Sequence, residues 1–503
     1  MDGTSVTRAL SRRRMLWVAG GGASALALGV AGCSDQDGAD EDPAASASPA
    51  TDVGTPAPST TPVSTRWPEP EEIRSRDGVL DITLRMAPAM VPFEGGRRWA
   101  LTVNGTTPGP TLRVRPGDVM KIRLVNELGH ATNLHTHGLH VSPAGNSDNP
   151  FIEIPAGQTF DYEIPIPETQ RPGLNWYHPH LHHRVAEQLY SGCYGAIIVE
   201  GADDGALGER VERLLMLNDT TIGQTEDAVM TTTAMVQREG REGDALLVNG
   251  VRVPGIEART GTLEHWRIVN ASSSRFYRLA LEGHEFAQVG SDAGRLGAPV
   301  MRDEIVMVPG ERVEVLVRPS KTGTFALETL PISRGTMGMG MGGGGGTGTT
   351  ATTRLATFEV TGGAGGEAKL PARTGVLESL KDRTPVKTRN LTFEMAGMSF
   401  VIDGKSFNAE RVDQAVNFGT TEDWVITNTS PMDHPFHLHV WAFQVMEQSA
   451  GEPPAGWKDV VDVPAGGWVR IRIPFTGLAG RTVYHCHILD HEDLGMMAVV
   501  DVT

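Results

Sequence analysis

The sequence predicts an all-β fold built from three consecutive β-sandwich domains, and two observations support this prediction. The chain of 503 residues contains 60 Gly and 32 Pro with 39% hydrophobic residues, a composition typical of β proteins rich in turns. One pattern also occurs three times: an apolar run, an Asn-Gly or Asp-Gly turn, and a later strand-like run with alternating apolar and polar residues. Such a repeat indicates three copies of one structural unit.

The first domain is predicted to span residues 66–203. Its turn Asn104-Gly105 follows the apolar run Leu-Thr-Val. A second turn, Pro116-Gly117-Asp118, separates two runs in which apolar and charged residues alternate, and this alternation is typical of strands with one buried face.

The two later domains repeat this arrangement. Residues 204–362, the second domain, contain the turn Asn249-Gly250, and residues 388–503, the third domain, contain Asp403-Gly404. Their strand-like runs lie at 263–270, 308–317 and 422–428. Residues 363–387 between the two domains are predicted to form a linker.

The amino-terminal residues 1–33 are predicted to be an export signal. Residues 11–16 read Ser-Arg-Arg-Arg-Met-Leu and resemble a twin-arginine motif, and the apolar stretch that follows is too short to span a bilayer comfortably. The stretch ends in Val-Ala-Gly-Cys33, which resembles a bacterial lipobox. We therefore expect export to the cell envelope or periplasm, with a lipid anchor on Cys33. An ordinary small-residue cleavage site is the alternative.

Residues 34–65 are rich in Asp, Ala, Ser, Thr and Pro and cannot bury a hydrophobic core, which predicts a disordered tether. A flexible chain of this length spans roughly 30 Å on average. A lipid on Cys33 would thus hold the folded domains just off a membrane.

Ten of the sixteen histidines lie in four short clusters, and the last cluster surrounds a lone cysteine. The clusters are His135/His137, His178/His180, His434/His437/His439 and His485/Cys486/His487/His491. Two imidazoles, one thiolate and one weak axial methionine are the ligands of a blue-copper site. Met496 lies ten residues after Cys486 and can supply the thioether.

Alternation along a strand predicts how the last cluster divides between two sites. Side chains of successive strand residues point to opposite faces, so Cys486 faces one side while His485 and His487 face the other. His434, His491 and Met496 would complete the site around Cys486. The eight other imidazoles suit a cluster of about three copper ions. Imidazole also binds zinc, but the soft Cys/Met site beside the cluster favours copper.

These four motifs, in this order, resemble the ligand motifs of three-domain multicopper oxidases, the group of laccases, bilirubin oxidases and bacterial cuprous oxidases. The resemblance covers roughly residues 67–503. It implies cupredoxin-like Greek-key β-sandwich domains and about four copper ions. It also implies that four one-electron oxidations of a substrate are coupled to the reduction of O2 to water.

Carried over motif by motif, the resemblance assigns His434, Cys486, His491 and Met496 to type 1 copper. It assigns type 2 copper to His135 and His437. The type 3 pair takes the remaining histidines, His137, His178, His180, His439, His485 and His487. Family members also use acidic residues for proton delivery, and the matching residues here are Glu492 and Asp148.

The other histidines and cysteine have simpler interpretations. Lone histidines are interpreted as surface or core residues: His130, His140, His265 and His284. His182 and His183 could orient ligands, but a structural role is favoured. Cys193, in an apolar strand, is interpreted as a small buried hydrophobic residue. Trp441 either lines the type 1 site or packs, and packing is slightly favoured.

Two substrate classes stay open at this point. A Gly-rich segment at 334–350 carries Met337, Met339 and Met341, whose thioethers could capture Cu(I), a soft ion. The alternative is a low-complexity loop without a role. Further methionines that could assist are Met395, Met398 and Met432. The third domain lacks the long Met/His-rich insertion of some cuprous oxidases, and this favours phenols or aromatic amines.

The remaining classes are less compatible with the sequence. The net charge of -17 argues against nucleic acid as a partner. A copper-free relative with a structural or cell-division role would keep the fold and lose ligands, yet none of the twelve expected ligands is missing. Copper storage does not require a trinuclear ligand set.

Overall fold

The computed structural model describes residues 67–503 except 227–228, 230–231, 336–347, 364–367 and 397–398. The predicted signal and tether, together with Met337, Met339, Met341 and Met398, lie outside the described residues. Strands are numbered β1–β32 along the chain. No helix among the described residues is long and apolar enough to cross a membrane.

The first domain contains a four-stranded sheet, β3-β2-β5-β7, and a five-stranded sheet, β1-β4-β9-β8-β6. One helix, α1 (Val185–Tyr190), precedes β9. The strands are β1 (Glu72–Arg74), β2 (Val79–Phe93), β3 (Gly96–Val103), β4 (Thr111–Val114), β5 (Val119–Asn126), β6 (His135–His137), β7 (Thr159–Pro165), β8 (Gly173–His178) and β9 (Gly195–Val199).

The second domain pairs the sheet β11-β10-β13-β18-β15-β16 with β12-β22-β19-β14-β17, and β20 pairs with β21. It is preceded by a 3-10 helix (Ala202–Leu207) and contains α2 (Ala234–Glu239). The strands are β10 (Val211–Thr220), β11 (Ala245–Val248), β12 (Gly255–Arg259), β13 (Glu264–Asn270), β14 (Tyr277–Leu281), β15 (Phe286–Ser291), β16 (Gly294–Arg302), β17 (Glu304–Met307), β18 (Arg312–Val317), β19 (Gly323–Thr329), β20 (Ile332–Ser333), β21 (Gly348–Thr349) and β22 (Thr353–Thr361).

The third domain pairs β24-β23-β26-β30-β28 with β25-β32-β31-β27-β29. The short helix α3 (Leu489–Asp493) follows β31. The strands are β23 (Lys387–Ala396), β24 (Ser399–Ile402), β25 (Gln414–Val416), β26 (Thr420–Asn428), β27 (His434–Leu438), β28 (Gln444–Gln448), β29 (Val460–Val463), β30 (Trp468–Phe475), β31 (Gly480–Cys486) and β32 (Met497–Val502).

These three pairs of sheets confirm the predicted all-β fold of three sandwich domains. Each domain encloses its own apolar core. The same parallel pairing also recurs, between β2 and β5, β10 and β13, and β23 and β26. This recurrence is the structural counterpart of the threefold repeat in the sequence. The residue limits assigned to the domains from the sequence stay predictions.

The domains meet at a fourth apolar cluster. It contains Leu174 and Trp176 of the first domain, Met216 and Val269 of the second, and Leu489 of the third, all buried. Because each sandwich contributes side chains, no single domain can bury this cluster alone. The carboxyl end of β31 and helix α3 lie beside it.

The segment predicted as a linker is packed against the third domain. Leu380 is buried, and its N–H donates to the side-chain oxygen of Gln444 at 2.8 Å. The guanidinium of Arg472 donates to backbone carbonyls of the same segment, those of Leu380, Lys381 and Arg383. The connection between the second and third domains is therefore held by specific hydrogen bonds.

Strand pairing brings the histidine clusters together. In the third domain β27 pairs with β31, which sets Phe436 opposite Cys486 and His437 opposite His485. In the first domain β6 pairs with β8, which sets His135 opposite His178. Histidines that are far apart in sequence thus become direct neighbours across two sheets.

Candidate metal centre

Three ligand atoms converge in the core of the third domain. The Nδ1 atoms of His434 and His491 are 3.2 Å apart, and the Cys486 Sγ lies 3.4 Å from the first and 3.9 Å from the second. The outer Nε2 of His434 is hydrogen-bonded to Ser430 Oγ at 2.8 Å, and the outer Nε2 of His491 to the Arg238 carbonyl at 3.0 Å. These bonds orient both rings so that Nδ1 faces the sulfur.

The loop after Cys486 folds back as the sequence predicts. The Cys486 N–H donates to the Met496 carbonyl at 3.0 Å, and the Met496 N–H donates to the His491 carbonyl at 2.9 Å. The N–H of Ile488 points at the Cys486 sulfur at 3.4 Å. Burial raises the pKa of the Cys486 thiol, so a bound cation would be needed to favour the thiolate there.

Six of the other histidines can be described as two groups of three, which the family resemblance implies, and His135 lies 5.3–5.5 Å from members of both groups. In the first group, the ring centroid of His137 lies 5.1 Å from that of His487 and 5.8 Å from that of His178, and the last two are 5.9 Å apart. In the second group, the ring centroid of His180 lies 4.6 Å from that of His439 and 4.9 Å from that of His485, and the last two are 5.3 Å apart. Each group combines residues of the first and third domains.

The last two histidines lie against these groups. His135 stacks on His439 and His437 stacks on His137, each at 3.9 Å between ring centroids. The rings of His135 and His437 are 5.9 Å apart. All eight histidines of the His-X-His pairs therefore surround one buried space between the first and third domains.

The nitrogen atoms of these rings test whether metal ions fit this space. One nitrogen of His135, His178 and His437 is bonded outward, to Asp148, the Pro179 carbonyl and the Asp459 carbonyl respectively. The other nitrogen of each of these three rings is buried and has no hydrogen-bond partner. The same holds for Nδ1 of His137. Buried polar atoms without partners are costly unless something binds them, so this donor set fits soft or borderline metal ions such as copper.

Burial also keeps these imidazoles in the form that binds metal. Desolvation is the largest cause that lowers the pKa of all ten clustered histidines. For His178 and His434 the pKa falls to about 3, and for His437 to about 4. The rings are thus neutral at neutral pH, with a lone pair available for coordination.

The two predicted acidic residues lie at this space. Asp148 contacts His135 Nδ1 at 3.0 Å and accepts the Thr136 N–H at 3.0 Å, and burial raises its pKa to about 7. The carboxylate oxygens of Glu492 lie 3.1 Å from His485 Nδ1 and 3.4 Å from His180 Nε2. Burial raises the pKa of Glu492 well above its usual value.

Sequence reasoning missed two residues of this site. Asp459 Oδ1 lies 3.2 Å from His137 Nε2, and the Asp459 carbonyl lies 2.8 Å from His437 Nδ1. Ser430 orients His434. The one available signal was that Asp459 is a charged residue directly before the apolar pair Val460-Val461. Neither residue lies in a histidine cluster.

The side chains interpreted as structural have ordinary partners. His130 contacts Gln188, His140 the Val440 carbonyl, His265 Glu314 and His284 the Glu282 carbonyl. His183 contacts the Asp493 carbonyl, and His182 packs on Phe407. Cys193 is buried in the core of the first domain, and Trp441 packs on Phe475 in the third. No group of converging ligand atoms found among the described residues includes any of them.

Comparisons with known proteins agree with this geometry. Family models described as multicopper oxidase match residues 85–204, 212–354 and 379–503, most of the chain. A protein named multicopper oxidase mco from Staphylococcus haemolyticus is 26% identical over 447 residues, 86% of this chain and 91% of the relative. Cell division protein FtsP from Xenorhabdus nematophila is 30% identical over 451 residues, 86% of this chain and 91% of that relative.

A solved structure described as a multicopper oxidase from Campylobacter jejuni, a metallo-oxidase, has a TM-score of 0.73 and 27% identity, covering 87% of this chain and 96% of that one. The chain therefore belongs to the multicopper oxidase family. It is an oxidoreductase that uses copper as its cofactor and O2 as its electron acceptor.

Proposed function

We propose that His434, Cys486, His491 and Met496 hold type 1 copper in this enzyme. His135 and His437 would hold type 2 copper, and the type 3 pair would be held by the two groups of three histidines, His137/His178/His487 and His180/His439/His485. The convergence of Sγ and two Nδ1 atoms supports the first assignment. The unpartnered inward nitrogens of His135, His137, His178 and His437 support the others.

Bound copper would accept electrons one at a time and deliver four of them to O2. The chain supplies the connection, because Cys486 is joined through the backbone to both His485 and His487. The pairing of Phe436 with Cys486 and of His437 with His485 holds this part of β31 rigidly against β27.

Glu492 is suited to supply protons. Its side chain is fully buried between His180 and His485, and burial raises its pKa well above the usual value, which favours the protonated carboxyl. Asp148, with a pKa of about 7, can exchange a proton near neutral pH while it orients His135. Proton transfer from such positioned groups contributes typically 10²–10⁴-fold to a rate.

For the reducing substrate, we propose a metal ion, Cu(I), rather than a phenol. The observation that carries this proposal is the cover over His491. The ring is fully buried: Phe400 stacks on it at 3.9 Å, and the Arg238 carbonyl of α2 is bonded to its Nε2 at 3.0 Å. An aromatic substrate cannot touch this ring unless α2 moves, whereas a metal ion can bind at the outer surface of α2.

Soft side chains near this cover support the same proposal. Met235 of α2 is 68% exposed, three residues before Arg238. Met432, two residues before His434, pairs through an isolated β-bridge with Gly335, which is the last described residue before Met337. Thioethers favour Cu(I). The solved relative that is described as a metallo-oxidase agrees with a metal substrate.

O2 consumption by the copper-loaded enzyme tests the substrate. Cu(I) and a dimethoxyphenol would be compared, with and without added Cu(II), and an enzyme-free sample corrects for direct oxidation of Cu(I). We expect fast turnover of Cu(I), and phenol turnover only when excess copper is present. Rapid phenol oxidation without added copper, together with slow Cu(I) oxidation, would contradict the proposal.

Variants sharpen this test. Met235→Leu removes an exposed thioether near the type 1 site, and we expect a higher KM for Cu(I) with little change in kcat. Met301→Leu is the matched control, because Met301 is 42% exposed on β16 of the second domain and is not part of the cover over His491. Replacing residues 234–239 with a Gly/Ser linker should raise phenol oxidation.

A copper-free cell-division role is the alternative, and similarity to FtsP alone supports it. The complete set of ligand side chains favours the enzyme. Copper-loaded protein should contain about four copper ions per chain and be blue. Colourless protein with a single zinc ion would contradict the enzyme reading.

We also propose that the protein is exported by the twin-arginine route and anchored by a lipid on Cys33. The motifs at 11–16 and 30–33 support this proposal. Wild-type protein should be recovered with membranes, and Cys33→Ser protein should be released or remain unprocessed. Equal partition of both proteins into the soluble fraction would refute lipidation.

A further inference from the structure

We infer that the second domain, which carries none of the ligands, positions the trinuclear copper site through the side chain of Arg312. The inference rests on the ligand assignment proposed above. Arg312 begins β18 and is fully buried. Its guanidinium holds Asp459 of the third domain, and Asp459 in turn contacts one histidine of the first domain and one of the third.

All five N–H groups of the guanidinium have acceptors. Nε donates to the Leu174 carbonyl at 3.3 Å. Each terminal nitrogen donates one N–H to a carbonyl of the second domain: Nη1 to Gly310 at 2.9 Å and Nη2 to Asp292 at 2.8 Å. The two remaining N–H groups bind the Asp459 carboxylate at 2.6 and 2.5 Å. Because the acceptors come from all three domains, the guanidinium fixes their relative positions at this point.

Asp459 connects Arg312 to two of the proposed histidine ligands, His137 and His437. Its Oδ1 accepts from His137 Nε2 at 3.2 Å, which leaves Nδ1 of the neutral His137 ring unprotonated, buried and without a hydrogen-bond partner. Its backbone carbonyl accepts from His437 Nδ1 at 2.8 Å, which leaves Nε2 of His437 free in the same way. A carboxylate held at both oxygens by Arg312 cannot rotate away from His137.

Two glycines indicate how closely the second domain approaches the ligands. Gly310 has φ +88, and a Cβ atom there would lie 2.8 Å from His487 Nε2. Gly138, directly after His137, has φ +97, and a Cβ atom there would lie 2.4 Å from a terminal nitrogen of Arg312. A side chain at either position would displace a ligand or Arg312, so both positions require glycine.

The test uses copper-loaded protein with Arg312→Lys and Arg312→Gln. Lysine keeps the charge but offers three donors on a point-like group, so it cannot hold the carboxylate and three carbonyls together. The matched control is Arg267→Gln, because Arg267 is equally buried on β13 and binds Glu314 at 2.8 Å within the second domain. Copper affinity would be measured by competition with a chelator, and type 2 copper by electron paramagnetic resonance.

We expect both Arg312 variants to weaken type 2 copper binding by about 10–100-fold and to change the type 2 resonance parameters. The blue type 1 band should be retained, which shows that the third domain is folded. Arg267→Gln should lower the thermal midpoint without changing the type 2 signal.

Wild-type affinity and unchanged resonance parameters in Arg312→Lys and Arg312→Gln would overturn the inference. An equal loss of type 2 copper in Arg267→Gln would also overturn it, because the effect would then be a general loss of stability. Wild-type protein that binds no type 2 copper would instead overturn the proposed ligand assignment, and the inference with it.

Discussion

Removal of copper should make the stability of this protein strongly dependent on pH in the mildly acidic range. The ten clustered histidines have pKa values below the usual 6.5 because burial disfavours the charged ring. In the unfolded chain they take up protons as the pH falls below 6.5, whereas in the folded chain they stay neutral. The unfolded state then binds more protons, so stability falls as the pH falls.

The magnitude follows from the number of groups. Each histidine that is protonated only in the unfolded state contributes about 1.4 kcal/mol per pH unit. Buried carboxyls whose pKa values are raised act in the opposite direction, among them Asp148, Glu311, Asp462, Glu492 and Asp493. A net difference of even three protons corresponds to about 4 kcal/mol per pH unit. Total stabilities are about 5–15 kcal/mol, so the effect is large.

The free energy of unfolding stops falling at the pH at which the site opens locally and the histidines become protonated without global unfolding. We therefore expect the thermal midpoint of copper-free protein to fall by at least about 10 °C between about pH 7 and pH 5.5. Copper-loaded protein is the control, because coordinated imidazoles compete with protons for the same lone pairs.

Scanning calorimetry of both forms over this pH range provides the measurement. A copper-free midpoint that stays constant across the range would refute the reasoning. An equal fall of the midpoint in the copper-free and copper-loaded forms would also refute it. The groups that titrate would then not be the histidine nitrogens that bind copper.

Three further predictions concern single side chains. Cys486→Ser should abolish the intense blue band and remove about one copper ion per chain, because a hydroxyl is a poor ligand for this soft site; absorbance and metal analysis measure both. Glu492→Gln should retain the blue band and lower kcat for O2 reduction by about 10²-fold, because the amide between His180 and His485 carries no acidic proton; turnover at saturating substrate measures this. Cys193→Ala should leave copper content unchanged and cost about 1 kcal/mol of unfolding free energy, measured by denaturant titration.

Much of the fold and of the ligand set could be predicted from the sequence because both depend on local patterns. Alternation of apolar and polar residues follows directly from the two faces of a strand, so the strand β5 was recognisable. The same alternation separates Cys486 from His485 and His487. The spacing within each cluster is also local, which allowed all twelve candidate ligands to be named.

Other features of the site arise only from the packing of the domains. Arg312 and Asp459 are 147 residues apart in the sequence, and nothing near either one indicates that they meet. The cover of α2 over His491 joins positions 253 residues apart. Both contacts depend on the relative positions of separate sandwiches.

The sequence by itself therefore determined the fold class and the repeated domain, since periodicity encodes them locally, and its resemblance to the family's motifs named the candidate ligand residues. Only the tertiary structure decided which groups orient those candidate ligands and which surface covers His491. The physical reason is that a buried carboxylate or carbonyl needs a partner, and that partner is selected by domain packing rather than by its neighbours in the chain.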